Sequence, residues 1–255
     1  MKVTFLGTGT SMGIPMIGCD CAVCHSEDAR DKRLRTSVWI EHENKSWIID
    51  TGIDFRQQAL RAGIRTVDAV LFTHPHADHI FGMDELRAIN FLQKKDVMIY
   101  ANSYTFQHLK RVYAYVFSGQ EAQSDIPQIR SHVFDTAPFE VDGTEIIPLP
   151  LRHGNLPNTG FRIGKFAYCT DVSGFPEETY SLLEDLDILV LGALRNRPHP
   201  THFTIAQAAA EAEKIGARQT YFVHMSHEVS HRELQRRLPP HIQPAFDGLE
   251  LEIPS

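Results

Sequence analysis

The stretch THPHADH, residues 73–79, sets His74, His76, Asp78 and His79 within six positions. The run VDAVLF, residues 67–72, leads into it and reads as a buried strand, apolar on both faces. Four ionisable side chains crowded together are costly to bury, even partly, unless something shares their charge. A cation does so, and imidazole and carboxylate groups suit divalent metals. The rest of the chain decides how many further ligands reach this motif.

Other strand-like runs end in the same kind of residue. IIPLPLR ends at His153, FAYCT at Asp171 and TYFV at His224, just as AVLFT ends at His74. Strand ends on one edge of a sheet converge in space, and open α/β sheets build their sites there. The ligand count becomes seven: His74, His76, Asp78, His79, His153, Asp171 and His224. One zinc or manganese ion does not need seven protein ligands. Two ions sharing a carboxylate do. Asp171 is the natural bridge, because a carboxylate offers two oxygens and an imidazole one nitrogen.

Strand and helix patterns alternate along the whole chain. KVTFLG opens it as a strand, and SVWIEHE with KSWIIDT reads as a hairpin turning at Asn44-Lys45. DFRQQALRAG reads as a helix closed by Gly63, and TFQHLKRVYAYVF as another. FEVDGTEIIPLPLRH and the hairpin FRIGKFAYCTD follow, then the helix PEETYSLLEDL with proline in its first turn and the buried strand ILVLGA. Thr204 is placed to cap the helix IAQAAAEAEKIG, which Gly216 ends. TYFVH is a strand, HRELQRRL a helix and AFDGLELEI a final strand. The reading is a layered α/β fold and a single domain over residues 1–255.

The 255 residues carry a net charge of −7 and 42% hydrophobic residues, enough for a large core. No basic block or stripe offers a nucleic-acid footprint, and no apolar run is long enough for a membrane span. MKVTFLGTGT reads as a strand, not an export signal, so the expected compartment is the cytosol. There, cysteine clusters more often bind metal than form disulfides. The run GCDCAVCHS, residues 18–26, holds Cys19, Cys21 and Cys24, three of the four cysteines. They supply three ligands of a tetrahedral zinc site. The fourth stays open among the adjacent His25, His227 of VHMSH, and Cys169, which sits mid-strand as an inert core thiol.

HxHxDH with downstream His, Asp and His, preceded by IIDTG, resembles the metallo-β-lactamase-fold hydrolase superfamily. The resemblance runs over essentially the whole chain. It implies a four-layer αββα sandwich with a two-metal site at one edge of the paired sheets. It assigns His74, His76 and His153 to one divalent ion and Asp78, His79 and His224 to the other, with Asp171 shared and either zinc or manganese as the metal. Asp50, ending KSWIID, matches a position that orients a metal-bound histidine.

Within that superfamily the cysteine loop, the HxSH of VHMSH, PLPLRH, SGFPEET and FDGLEL resemble PhnP-type phosphodiesterases. That resemblance implies a structural zinc on Cys19, Cys21, Cys24 and His227. RPHPTHFT is similar to the HxT of the phosphodiesterase branches, which gives His202 the role of binding substrate phosphate and protonating the leaving group, with His199 as a nearby competitor. Asp78 is a further candidate for proton transfer. The implied activity is hydrolysis of small phosphodiesters, cyclic ones included, by a water shared between two metals. The competing readings are a tRNA 3′-processing nuclease, a thioester or β-lactam hydrolase of the same fold, and a non-catalytic binding protein. A homodimer is a family-level expectation. Residues 85–135, rich in aromatic and basic side chains such as Arg87, Phe91, Tyr104, Arg111, Tyr113, Tyr115 and Phe117, are where the substrate pocket is expected to be particular to this chain.

Overall fold

The structure, a computed structural model, describes residues 1–118 and 125–254. Residues 119–124 of the 85–135 stretch and the last residue of the expected domain lie outside the described residues. Among these, strands β1 (Lys2–Gly7), β2 (Ser37–His42), β3 (Lys45–Ile49), β4 (Ala69–Leu71), β5 (Val97–Asn102) and β6 (Ile129–Phe134) form one sheet with the C-terminal β14 (Glu250–Glu252). The second sheet holds β7 (Phe139–Val141), β8 (Thr144–His153), β9 (Leu156–Ile163), β10 (Phe166–Cys169), β11 (Ile188–Gly192), β12 (Gln219–Val223) and β13 (Ile242–Pro244). Each sheet is antiparallel in one half and parallel in the other.

The period of two along the strands builds the layers. Trp47 and Ile49 of β3, Leu71 of β4, Tyr168 of β10, Val190 of β11 and Val223 of β12 face the space between the sheets. Their neighbours Ile48 and Val70 face outward against helices α1 (Phe55–Ala62), α3 (Leu86–Gln93) and α4 (Ser103–Val112). Cys169, Leu191 and Phe222 face the opposite way, against α6 (Glu177–Ser181), α7 (Ile205–Ile215) and α8 (His231–Arg237). Each large apolar side chain buried in these cores contributes roughly 1.5–3 kcal/mol before entropy is counted. Helix, sheet, sheet, helix is the αββα order that the sequence implied.

Several boundaries differ from the sequence reading. The β2–β3 hairpin turns at Glu43-Asn44, not Asn44-Lys45: both have positive φ, 49° and 62°, and Lys45 already pairs with His42. The helix read over residues 105–117 breaks at Tyr113, whose hydroxyl donates to the Ile80 carbonyl, so α5 (Ala114–Phe117) starts anew. The final run is not one strand. Gly248, at φ 92°, turns the chain so that β13 ends one sheet and β14 edges the other. β8 tolerates Pro148 and Pro150 because β7 pairs only with residues 144–146, leaving one edge of β8 without a ladder.

Strands that run the same way within each sheet carry the site. β3 and β4 end at Asp50 and the THPHADH loop; β8, β10 and β12 end at His153, Asp171 and His224. Gly52 lets the loop after β3 touch the loop that carries α2 (Ala77–Ile80): a Cβ there would lie 1.9 Å from the Asp78 carbonyl oxygen. Gly52→Ala is therefore expected to destabilise the protein by ~2–4 kcal/mol. Urea denaturation measures this, and an unchanged midpoint would show that the two loops separate freely.

Candidate metal centre

The structure brings all seven expected ligands together in two clusters that share one residue. His74, His76, His153 and Asp171 form the first; Asp78, His79, His224 and Asp171 form the second. In each, the candidate ligand atoms lie within 4.8 Å of one another. His74 Nε2 is 3.0 Å from His76 Nδ1, and His153 Nε2 is 3.4 Å from the same atom. Asp171 reaches both sides, with Oδ2 3.7 Å from His74 Nε2 and 3.3 Å from His224 Nε2, and Oδ1 3.4 Å from His79 Nε2. Asp78 Oδ2 lies 3.3 Å from His79 Nε2 and 3.7 Å from His224 Nε2. Ligands about 2.0–2.1 Å from a tetrahedral metal are themselves about 3.3 Å apart, so these spacings suit a cation.

The far nitrogens show how the rings are aimed. His153 Nδ1 donates to the Thr201 carbonyl at 2.9 Å, and His79 Nδ1 donates to Asp50 Oδ2 at 2.7 Å. Thr73 donates its hydroxyl to Asp50, which leaves its oxygen to accept from His74 Nδ1 at 3.0 Å. In all three rings Nδ1 therefore carries a proton, and Nε2 faces the cluster. Among the described residues, His79 Nε2 and both His224 nitrogens are buried without a hydrogen-bond partner. Orphaned imidazole nitrogens beside two carboxylates are the donor set of a divalent metal pair, and the residues fit it.

Electrostatics and backbone agree. Burial alone would raise Asp171, but His224, His79 and His74 hold its carboxyl well below the usual range. Burial alone would lower His79, but Asp78, Asp171 and Asp50 hold it well above the usual imidazole range. Asp50, Asp171 and His224 all have positive φ, 64°, 52° and 57°. Left-handed backbone costs roughly 1–3 kcal/mol per residue and persists where the surroundings enforce it. Asn158 does so at Asp171, donating its amide to the Thr170 and Asp171 carbonyls at 3.0 and 2.8 Å.

Asp50 is fully buried, and besides His79 it accepts the Thr73 backbone N–H at 2.8 Å. Asp50→Asn keeps the left-handed backbone and removes the charge. It is expected to weaken metal binding by roughly 10–100-fold. Metal titration of the stripped protein reads this directly, and an unchanged affinity would reduce Asp50 to a strand end.

His202 lies over the cluster. Its ring stacks on His224 with centroids 4.8 Å apart and 12° between planes, and sits 4.8 Å from the His153 ring. Its Nδ1 is 3.9 Å from Asp171 Oδ2. Burial and the neighbouring His224 push the imidazole down to about 3. His199 stands one layer further out: its ring is 4.9 Å from that of His202, and its Nδ1 faces the Thr201 hydroxyl at 3.2 Å. Thr204 caps α7 in a capping box with Gln207, as the sequence suggested.

The cysteines form a third cluster with His227, whose Nδ1 is 3.1, 3.4 and 3.7 Å from Cys19, Cys21 and Cys24 Sγ. The Cys24 backbone N–H helps draw the Cys21 thiol down to about 6, while burial pushes Cys24 up to about 11. Of the candidates the sequence left open for the fourth position, His227 is the one that meets the three cysteines. His25 faces solvent beside Asp20, and Cys169 is fully buried in β10. Sequence reasoning missed the residues that brace this region. Arg33, fully buried, donates to the Ser226 and Val229 carbonyls at 3.1 and 3.0 Å and to Asp31 at 3.1 Å, fixing the loop that carries both His224 and His227. Nothing local to Arg33 signals contacts 193 and 196 residues away.

Comparison with known proteins places this geometry. A solved structure described as a new diphosphatase from the PhnP family is 45% identical, covers 99% of this chain and 98% of its own, and superposes with a TM-score of 0.93. Zn²⁺-bound PqqB from Methylobacterium extorquens, 18% identical over 99% of this chain and 100% of its own, shares the fold with a TM-score of 0.75. A protein named octanoyltransferase from Porphyromonas gingivalis is 40% identical over 99% of this chain, which spans about half of that relative, 52% of its length. Residues 46–225 match the beta-lactamase superfamily domain. The chain belongs to the metallo-β-lactamase superfamily and, within it, to the PhnP family.

Proposed function

We propose that this protein is a binuclear metal hydrolase that cleaves P–O bonds of small phosphodiesters or diphosphates. The observation that carries the reading is Asp171, shared by two four-residue clusters and overlain by His202. Two divalent ions held there would lower the pKa of a shared water toward neutrality and offset phosphate charge. His74, His76 and His153 would hold one, Asp78, His79 and His224 the other, and Asp171 both.

The chain's own residues then do the rest. Asp50, Thr73 and the Thr201 carbonyl keep the imidazoles aimed. His202 turns Nδ1 toward Asp171, and its Nε2 has no hydrogen-bond partner among the described residues, so that edge meets the substrate. The water oxygen adds to phosphorus as its proton passes to solvent, the bond to the leaving oxygen breaks, and His202, charged once the phosphate anion faces it, gives that oxygen a proton. Asp78 is the second group close enough to take part in proton transfer. The diphosphatase description of the 45%-identical structure supports a phosphorus centre and adds diphosphate bridges to the substrate class. The net charge of −7 favours small substrates over tRNA.

The test is a matched panel with zinc- or manganese-loaded protein: an aryl phosphodiester, a 2′,3′-cyclic nucleotide, a dinucleoside diphosphate, an octanoyl ester and a β-lactam. Phosphorus substrates are expected to turn over selectively. His202→Ala should lose about 10²–10⁴-fold in kcat with metal content unchanged. Activity confined to the ester or lactam would overturn the reading.

A further inference from the structure

The metal cluster opens into a cavity of about 360 Å³ lined by His76, His153, Tyr104, Asn155, Leu156 and Thr201. Tyr104 also lines a neighbouring cavity of about 310 Å³, whose floor includes Pro148, Pro150 and Pro157. One side chain thus joins the reacting centre to a proline-lined shelf. Among the described residues β7 pairs with β8 only as far as Ile146, and Pro148 and Pro150 follow in the part of β8 that lines the shelf.

Tyr104 is held in place from below. It lies in the first turn of α4, whose N-cap Asn102 accepts the Thr105 N–H at 2.8 Å and donates to the Thr159 hydroxyl of β9 at 3.1 Å. His108, one turn on, packs against the phenol ring at 4.5 Å between centroids. The ring remains 40% exposed.

The charge of the shelf decides what it accepts. Among the described residues its lining contains no lysine, arginine or histidine, and Asp135 is its one charged group. A second phosphate would meet a carboxylate and no cation. A flat, uncharged ring would meet a phenol face and three pyrrolidine rings, and Asp135 could accept from its amino or hydroxyl groups.

We propose that Tyr104 and the proline shelf form a subsite for a planar aromatic group attached to the scissile phosphate, a nucleobase or an aryl ring. The proposal rests on the phosphorus-hydrolase reading of the same site. Tyr104 is a specificity-determining residue in it, reaching the substrate's ring.

The test uses binding, so it stands apart from turnover. Calorimetry on the metal-loaded protein compares adenosine 5′-monophosphate, phenyl phosphate and methyl phosphate. At least one aromatic phosphate is expected to bind about tenfold or more tightly than methyl phosphate. Tyr104→Ala should abolish that advantage, and Tyr104→Phe should keep it, since stacking needs the ring and not the hydroxyl. Tyr104→Leu repeats the reading should the alanine variant be unstable. A tighter adenosine compound assigns the ring to a nucleobase, and equal affinities assign it to a simple aryl group; both support the subsite. Binding of all three alike, an advantage that survives Tyr104→Ala, or one lost in Tyr104→Phe overturns it. Tyr104-dependent binding without P–O turnover would remove the hydrolase reading alone, and turnover with ring-blind binding would remove the subsite alone.

Discussion

Asp171→Ala is expected to lose at least one of the two ions of the His/Asp centre and nearly all hydrolysis. Among the described residues Asp171 is the one whose oxygens reach both clusters, at 3.7 Å from His74, 3.4 Å from His79 and 3.3 Å from His224. Its removal leaves each cluster with three protein ligands and nothing between them. The fall in kcat/KM should go well beyond the roughly 10–100-fold that loss of a supporting partner costs. Metal analysis of the purified variant, alongside kinetics on an aryl phosphodiester, reads both effects. Wild-type turnover by a variant lacking this carboxylate would remove the two-metal account.

Cys21→Ser is expected to act on the fold and spare the chemistry. Cys19, Cys21 and Cys24 come from one loop and His227 from another, three residues beyond His224. A zinc on these four would tie the N-terminal loop to the loop that carries His224. Losing it should cost more than about 3 kcal/mol, a fall of roughly 6–12 °C in melting temperature for a chain of this size. One metal per chain should go, while the His/Asp pair keeps its ions, because Arg33 still braces the Ser226 and Val229 carbonyls. A melting temperature and metal count equal to wild type would show that the thiols hold nothing.

The clustering of these His and Asp residues is legible in the sequence for a physical reason. Strand ends are easy to mark, and strands that run the same way deliver their C-terminal ends to one edge, so His74, His153, Asp171 and His224 gather there. Dense motifs such as THPHADH need no tertiary information at all. The partners that aim the rings were harder. Thr73 stands beside His74 in the chain, yet its bond to Asp50 depends on β3 and β4 pairing. Thr201 meets His153 only because β8 ends beside the loop before α7. Arg33 sits in a stretch without periodicity and works through carbonyls nearly the whole chain away.

Errors in the fold reading have the same origin. Tyr113 looked like helix because local pattern continues through it, but its hydroxyl is claimed by the Ile80 carbonyl. The C-terminal run looked like one strand because its residues have strand character on both sides of Gly248; two sheets compete for it and each takes a part. The roles of Pro148 and Pro150 emerge only once β7 is seen to stop short.

Stepwise reloading of the metal-stripped protein tests the central claim most directly. Hydrolysis of an aryl phosphodiester would be followed as manganese or zinc is added in equivalents per chain, with the cysteine site filled or removed by Cys21→Ser. The account predicts that full activity appears only with the second ion of the His/Asp centre, because Asp171 joins two clusters and neither alone is complete. Activity that saturates with the first ion, or no phosphodiester cleavage with both in place, would contradict it.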